Sequence, residues 1–317
     1  MKKLLLYFVA LFSIACAGEK PFDGMVATTG VYSGTLVISS VTTDPATGPG
    51  LISWWTRDGG FKATLRDLYT GSEFGTGTGF IAPDKIIASI EGVDRLEILN
   101  LSNGATTAVT HVGLTATPLK QLAVDPADSA IYVTEFNQNT VEKFTAGGAR
   151  IGSPFLPTTS GSCVLSSPWG VTVIPETQEV VVISSPGAAG RFSKFTKDGA
   201  CLTHVTTGTF SAGTPQAVAY HAPSQKLLVT LASTHAIVAV DQNGANPTTI
   251  FLNASIINTP RAIATDADGY IYVGSSGTDT IEKLYWSGTG SASRATTGPL
   301  IGPGAFSQNP TSISVIP

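Results

Sequence analysis

The residues with the most distinctive chemistry in this 317-residue chain are its three cysteines. Cys16 ends an apolar segment near the N-terminus, directly after Ala15, where cleavage of an export signal makes a cysteine the acylated first residue. Cys163 and Cys201 remain as a pair. Because exported proteins meet an oxidising compartment, a disulfide between these two is one expectation, and two free or buried thiols are the other.

Patterns typical of metal centres are missing from the sequence. The four histidines are scattered, and none has a histidine or cysteine at a ligand spacing. They are His111, His204, His221 and His235. Asp266-Ala267-Asp268-Gly269 begins like a calcium loop, but a strand pattern follows it and brings no further carboxylate. We therefore expect a hairpin turn there, and no bound metal.

Motifs for phosphate binding and nucleophilic catalysis are missing as well. Gly75-Thr76-Gly77-Thr78-Gly79-Phe80 is rich in glycine, but it leads into a strand, whereas a phosphate cradle requires the start of a helix. We expect a flexible connection at this segment. The sequence leaves enzymatic activity open and favours a protein without it and without a cofactor.

Composition narrows the class of protein. The chain has 18 basic and 22 acidic residues, a formal charge of -4, and no run of five basic residues, which argues against a nucleic-acid partner. It is 42% hydrophobic and only 13% charged, which argues against disorder. Many Ser, Thr and Gly residues together with Val and Ile predict an all-β fold.

The first fifteen residues have the order of a bacterial-type export signal. Met1-Lys2-Lys3 precedes an apolar run over 4–12 that is too short to remain as a membrane-spanning helix. Cleavage before Cys16 predicts a lipoprotein anchored to a membrane, in particular the outer membrane, on its periplasmic or its surface face. Ala15-Cys16-Ala17 also fits ordinary signal peptidase, and then the protein is secreted.

A repeat of about 45 residues organises the rest of the chain. Six strand-like segments end in a Gly turn, as at Asp198-Gly199 and Asn243-Gly244, and each follows a β-branched run. A shorter strand comes before that run, and in several units it begins with proline. Units of this length with four short antiparallel strands are typical of β-propeller blades.

One strand is in excess of the six units, because the chain ends in another copy of the first strand, beginning at Pro310. We expect Ile313 to Ile316 to pair with the strand that contains Leu36-Val37-Ile38 and so to close the ring. The prediction is an all-β, six-bladed β-propeller of four-stranded antiparallel blades. Residues 1–15 are the signal peptide, 16–34 a lead-in segment and 35–317 a single propeller domain.

The units resemble the NHL and YVTN repeat families, most closely at Ile131–Phe144 and similarly at Tyr270–Leu284. The resemblance covers about residues 80–317 well and 35–80 weakly. These families include lactonases, lyases, sensor domains and scaffolds, so the resemblance implies a propeller and does not choose a function. Propeller lactonases hold a metal over the axis. The resemblance therefore implies an alternative, a hydrolase or lactonase with a divalent ion such as calcium. Its most plausible ligands are Glu91, Glu135, Asn137 and Asp279.

We define the loop face as the end of the propeller where the innermost strands begin and the loops between second and third strands project. The candidate ligand-binding residues on it are Glu91, Asp94, Lys120, Glu135, Asn137, Trp169, Gln216, His235, Arg261 and Asp279. A merely solvated surface is the competing interpretation. The sequence predicts an exported, monomeric, lipid-anchored propeller whose loop face binds a protein or glycan of the cell envelope.

Overall fold

A computed structural model describes residues 34–40, 51–67, 74–91, 95–103, 105–109, 118–152, 154–185, 190–206, 213–305 and 309–317. These residues form β-strands joined by turns, with one short 3-10 turn at Ala222–Ser224. In this part of the chain no helix is long and apolar enough to cross a membrane. Residues 1–33, which carry the predicted signal and nearly all of the predicted lead-in segment, lie outside the described residues.

The strands follow one another blade by blade. The chain begins blade one with β1 (Thr35–Ser40), β2 (Leu51–Thr56) and β3 (Phe61–Asp67). Blade two is β4 (Phe74–Ile81), β5 (Lys85–Glu91), β6 (Arg95–Asn100) and β7 (Thr106–Val109), and blade three is β8 (Leu119–Val124), β9 (Ile131–Glu135) and β10 (Thr140–Phe144). The hairpin of β11 (Thr159–Ser160) and β12 (Cys163–Val164) precedes blade four, which is β13 (Pro168–Ile174), β14 (Glu179–Ser184), β15 (Arg191–Phe195) and β16 (Cys201–Val205).

Blade five is β17 (Pro215–His221), β18 (Lys226–Leu231), β19 (Ala236–Val240) and β20 (Thr248–Leu252). Blade six is β21 (Pro260–Thr265), β22 (Tyr270–Ser275), β23 (Thr280–Tyr285) and β24 (Ser293–Arg294), and β25 (Pro310–Ile316) ends the chain. Neighbouring strands of each blade are antiparallel. The predicted six-bladed propeller is therefore confirmed.

The C-terminal strand closes the ring in the predicted register. β25 pairs with β1 as the innermost strand of blade one, with Val37 opposite Ser314 and Ile38 opposite Ile313. The seam is also joined to blade two, since Oγ1 of Thr78 lies 3.0 Å from Oγ of Ser314. β25 thus covers the inner edge of β1, where another chain could otherwise pair.

The core lies between the blades and not on the axis. Six clusters of buried apolar side chains each join two adjacent blades, so that every sheet is covered on both faces. Trp54 packs between blades one and two, whereas the adjacent Trp55 packs between blades one and six. Successive residues of a strand point to opposite faces, so one strand supplies both clusters.

Blade three differs from the expected four strands. Its ladder has three strands among the described residues, and the outer position is taken by isolated bridges from Phe144 to Arg150 and from Val141 to Leu156. The chain then forms the β11–β12 hairpin. A disulfide joins Cys163 of that hairpin to Cys201 of β16, with the two Cα atoms 5.7 Å apart.

The glycine-rich segment at 75–80 is not a flexible connection, and that expectation is wrong. It forms most of β4, the innermost strand of blade two. A Cβ atom on Gly77 would lie 2.8 Å from the backbone nitrogen of Leu122, and one on Gly79 would lie 2.7 Å from the Leu122 side chain. Glycine is thus required because β4 approaches β8 closely.

Candidate functional site

Each innermost strand contains a β-bulge near its start. In blades one, two, four and six a single residue is left without a partner in the ladder: Thr311, Thr76, Trp169 and Arg261. In blades three and five two residues oppose one, at Lys120-Gln121 and at Gln216-Ala217. A bulge bends the strand and redirects a side chain. Each of the six innermost strands around the axis has one.

The bulge residues build a pocket at the loop face. Five side chains of the described part of the chain line it: Thr76, Lys120, Trp169, Arg261 and Thr311. They come from five different blades, so the pocket lies on the propeller axis. About 350 Å³ there is not filled by protein atoms, part of it open to solvent. Three of the candidate residues, Lys120, Trp169 and Arg261, are therefore brought together.

Lys120 is held between an acid and two aromatic rings. Its Nζ lies 2.9 and 3.0 Å from the two carboxylate oxygens of Glu91. The same ammonium lies 4.9 Å from the ring centroid of Trp169 and 5.7 Å from that of Phe136, within the range of cation–π attraction. Phe136 in turn meets Trp169 edge-on, with the ring centroids 5.3 Å apart. These contacts fix the indole at the pocket wall.

Arg261 supplies the second cation. Burial lowers the pKa of its guanidinium, and the charge of Glu91 opposes that shift. Arginine nevertheless remains protonated in proteins. Its buried Nε has no hydrogen-bond partner within the part of the chain that the structure describes. The pocket thus contains a partly buried guanidinium whose Nε is an unused donor.

A side chain crosses the axis beside this cation. Gln121 of blade three donates from Nε2 to the backbone carbonyl oxygen of Arg261 in blade six, at 2.9 Å. The two blades lie three positions apart in a ring of six, so the bond spans the axial channel. The pocket is therefore not part of an open tunnel at the level of Gln121.

Hydroxyl groups of the second strands hold the bulges in place. Ser89 donates to the carbonyl oxygen of Lys120 at 3.0 Å, and Thr134 donates to that of Trp169 at 2.9 Å. Each bond runs from one blade to the next. Carbonyl groups that the bulges leave out of the ladder are satisfied in this way, which stabilises the pocket in the absence of a ligand.

Two of the candidate residues on the turns have structural contacts. Nδ1 of His235 accepts a hydrogen bond from the backbone N–H of Thr259 at 3.0 Å, and Oδ1 of Asp279 accepts one from Asn309 at 2.8 Å. Asn139 does the same with Ser167 at 2.6 Å. In each case a turn of one blade is fastened to the start of the next blade's innermost strand.

The remaining candidates do not join the pocket lining. Glu135 is buried and accepts a hydrogen bond from the hydroxyl of Thr140 at 2.7 Å, Asn137 is exposed on a turn, and Gln216 is buried near the start of β17. Asp94 and Cys16 lie outside the described residues. No three His, Cys, Asp or Glu residues among those the structure describes are grouped to hold a metal ion, so Glu91, Glu135 and Asp279 are not grouped in that way.

Sequence reasoning missed Thr76, Thr311 and Phe136. Thr311 follows Pro310 just as Trp169 and Arg261 follow the prolines that open their strands, so this signal was available. Thr76 was hidden in a glycine-rich segment that lacks the proline. Phe136 has no sequence signal, because its role depends on the position of the neighbouring blade's indole.

Comparison with known proteins gives the fold. No protein-family model and no curated protein matches the chain. A chain of the crystal structure of a nidogen/laminin complex is 14% identical with a TM-score of 0.69, covering 90% of this chain and 99% of its own. Virginiamycin B lyase from Staphylococcus aureus is 16% identical over 70% of this chain and 71% of its own, with a TM-score of 0.55. A streptogramin B lyase is 18% identical over 70% of each chain, also with a TM-score of 0.55. At these identities the likeness shows a shared β-propeller fold.

Proposed function

We propose that this protein is an exported, lipid-anchored β-propeller that binds a protein or glycan of the cell envelope at its axial pocket. The observation that carries the proposal is the pocket itself. Its lining residues come from bulges, where they have no partner in the sheet ladder, and they combine a partly buried guanidinium, with its Nε fully buried, and an indole. Arg and Trp buried in a pocket are the residues that most often dominate binding energy.

Two further observations support the location and the class of activity. The Cys163–Cys201 disulfide is the kind of bond that persists in oxidising compartments, which agrees with an export signal over 1–15 and acylation of Cys16. The nidogen/laminin likeness supports a propeller that engages another macromolecule. A secreted form without a lipid anchor remains the alternative for location.

The alternative function is a propeller enzyme, and the lyase likeness favours it. Among the residues that the structure describes, the pocket lining has no histidine, cysteine or carboxylate, and Glu91 beside it is engaged by Lys120. General acid–base catalysis needs a positioned proton donor or acceptor. Binding without turnover is therefore the better supported function.

The test compares the mature protein with a Trp169→Ala variant in binding to isolated cell-wall glycan and to envelope proteins. The variant should bind about 30-fold more weakly, as expected when a hot-spot residue contributing about 2 kcal/mol is truncated. Tyr285→Ala is the matched control, since this aromatic residue is 43% exposed and lies outside the pocket lining. Its binding should equal that of the wild type.

Two results would contradict the proposal. One is equal binding by wild type and Trp169→Ala, with both variants shown by circular dichroism to be folded. The other is metal-dependent hydrolysis of a lactone or ester that disappears in Glu91→Gln or Glu135→Gln, which would establish the enzyme instead.

A further inference from the structure

The charges around the axial pocket do not cancel. Lys120 and Glu91 form an ion pair at 2.9 Å, with side chains 14% and 25% exposed. Arg261 forms no ion pair with a carboxylate in the part of the chain that the structure describes. Counted over the described residues, two cations and one carboxylate thus leave the pocket with a net charge of about +1.

A buried charge is costly unless an opposite charge or hydrogen bonds compensate it. Two other arginines of this chain that are partly buried meet that requirement: Arg150 and Arg294 each bind both oxygens of a buried glutamate, Glu142 and Glu282. Arg261 has the same need without such a partner. A carboxylate supplied by a ligand would give it the same two-point contact.

The hydroxyl groups that line the pocket together with Arg261 are already engaged. Thr76 donates to the carbonyl oxygen of Leu119 at 2.7 Å, and Thr311 donates to that of Gly75 at 2.6 Å. Their protons are therefore turned toward the backbone. An anion is therefore bound by the guanidinium of Arg261. Lys120 contributes only those donors that Glu91 does not engage.

We infer that the pocket binds one carboxylate group of a ligand and that Arg261 anchors this group. The carboxylate is the single negative charge that the ligand places in the pocket. Glu91 determines the ligand's charge, because it neutralises Lys120 and leaves only one positive charge to be matched. A phosphate dianion would bring excess negative charge next to Glu91 and would fit less well. This inference rests on the proposed function and names the group that the pocket recognises.

The carboxylate has two possible sources, an acidic sugar of a glycan or the carboxylate of a peptide. Glucuronate is the probe for the first and N-acetylglycine for the second, and titration calorimetry of the mature protein measures both. Binding of at least one is expected, with glucuronamide, the uncharged counterpart of glucuronate, not bound. Inorganic phosphate should bind more weakly than the carboxylate that binds.

Two substitutions test the anchor. Arg261→Gln removes the charge, and Arg261→Lys keeps the charge but loses the planar two-point contact. Both should weaken carboxylate binding about tenfold or more, the range for loss of a hydrogen bond to a charged group. Arg191→Gln is the matched control, because Arg191 lies at the start of β15 and outside the pocket lining, and it should bind like the wild type.

Substitution of Lys120 and Glu91 tests the net charge of the pocket. This test can be carried out even if the Arg261 variants do not fold. Lys120→Gln should weaken carboxylate binding, Glu91→Gln should strengthen phosphate binding relative to carboxylate, and the double variant should recover the wild-type preference. A melting temperature for each variant shows that it is folded.

The inference is overturned if neither carboxylate binds, if phosphate binds more tightly, or if Arg261→Lys binds like the wild type. Its failure is distinguishable from failure of the proposed function. If envelope glycan or protein still binds in a Trp169-dependent manner while small carboxylates do not, the binding module stands and the carboxylate site does not.

Discussion

Loss of the Cys163–Cys201 disulfide should lower the melting temperature by about 8 °C. The bond closes a loop with a sequence separation of 38 residues. In the chain-entropy treatment such a loop removes about 13 cal/mol/K from the unfolded chain, which is about 4 kcal/mol at 25 °C. For a domain of this size, about 2 °C of melting temperature corresponds to each kcal/mol.

The location of the bond makes the effect specific. Cys163 is buried in the cluster between blades three and four, together with Leu156 and Leu165, and its bond fastens the β11–β12 hairpin to the outer strand of blade four. A Cys163→Ala/Cys201→Ala variant removes the bond and also some packing. Reduction of the wild-type protein breaks the bond and removes no atoms of the core. The reduced wild-type protein is therefore the matched control.

Calorimetric melting of oxidised wild type, reduced wild type and the double variant is the assay. The reduced wild type should account for most of the loss, and the double variant should lie slightly below it. If the oxidised and reduced proteins melt within about 1 °C of each other, loop closure does not stabilise this fold and the estimate from chain entropy is wrong.

Three further predictions concern the closing strand, a buried histidine and the N-terminus. Deletion of residues 310–317 removes β25 with the buried Ile313 and Ile316 and exposes the inner edge of β1, so the truncated protein should aggregate. Deletion of Pro317 alone is the control. A soluble truncated protein with an unchanged melting temperature would argue against closure. Burial lowers the pKa of His221 below its ordinary value of 6.5. As the pH decreases, the unfolded chain therefore binds this proton at a higher pH than the folded protein does. The contribution of His221 to the free energy of unfolding is fully present above pH 6.5 and is lost as the pH decreases below it. Urea unfolding should therefore show a larger loss of stability for wild type than for His221→Gln between about pH 7 and 5, and parallel curves would refute the assignment. Mass spectrometry of the exported protein should find an acylated Cys16, and Cys16→Ala should release the protein from membranes; a mature chain that begins at Gly18 would show cleavage by ordinary signal peptidase.

The architecture was accessible from the sequence because local patterns repeat. A Gly turn after the third strand marks each blade, a proline at or before the first strand marks several of them, and the surplus strand at Pro310 implies ring closure. Pairing within a blade joins neighbours in the chain, so the period alone defines it. The strand β4 was not predicted, because its glycines are explained by the close approach of β4 to β8, which is a contact between blades.

The pocket was accessible only in part. Lys120, Trp169 and Arg261 occupy equivalent positions in their repeats, which indicated that they share one end of the propeller. Their convergence depends on bulges, and a bulge is a property of the register between two strands rather than of either sequence. The disulfide was left open for a similar reason, since the β11–β12 hairpin that carries Cys163 has only two residues in each strand.

The ring of bulges separates recognition from folding. Lys120, Trp169 and Arg261 lie at bulges, outside the ladders of their own strands, and none of them belongs to the buried apolar clusters. Exchange of one such side chain alters the chemistry at the axis without shifting the register of any blade. The propeller is therefore a scaffold on which specificity can diverge in evolution, or be redesigned in the laboratory, one blade at a time.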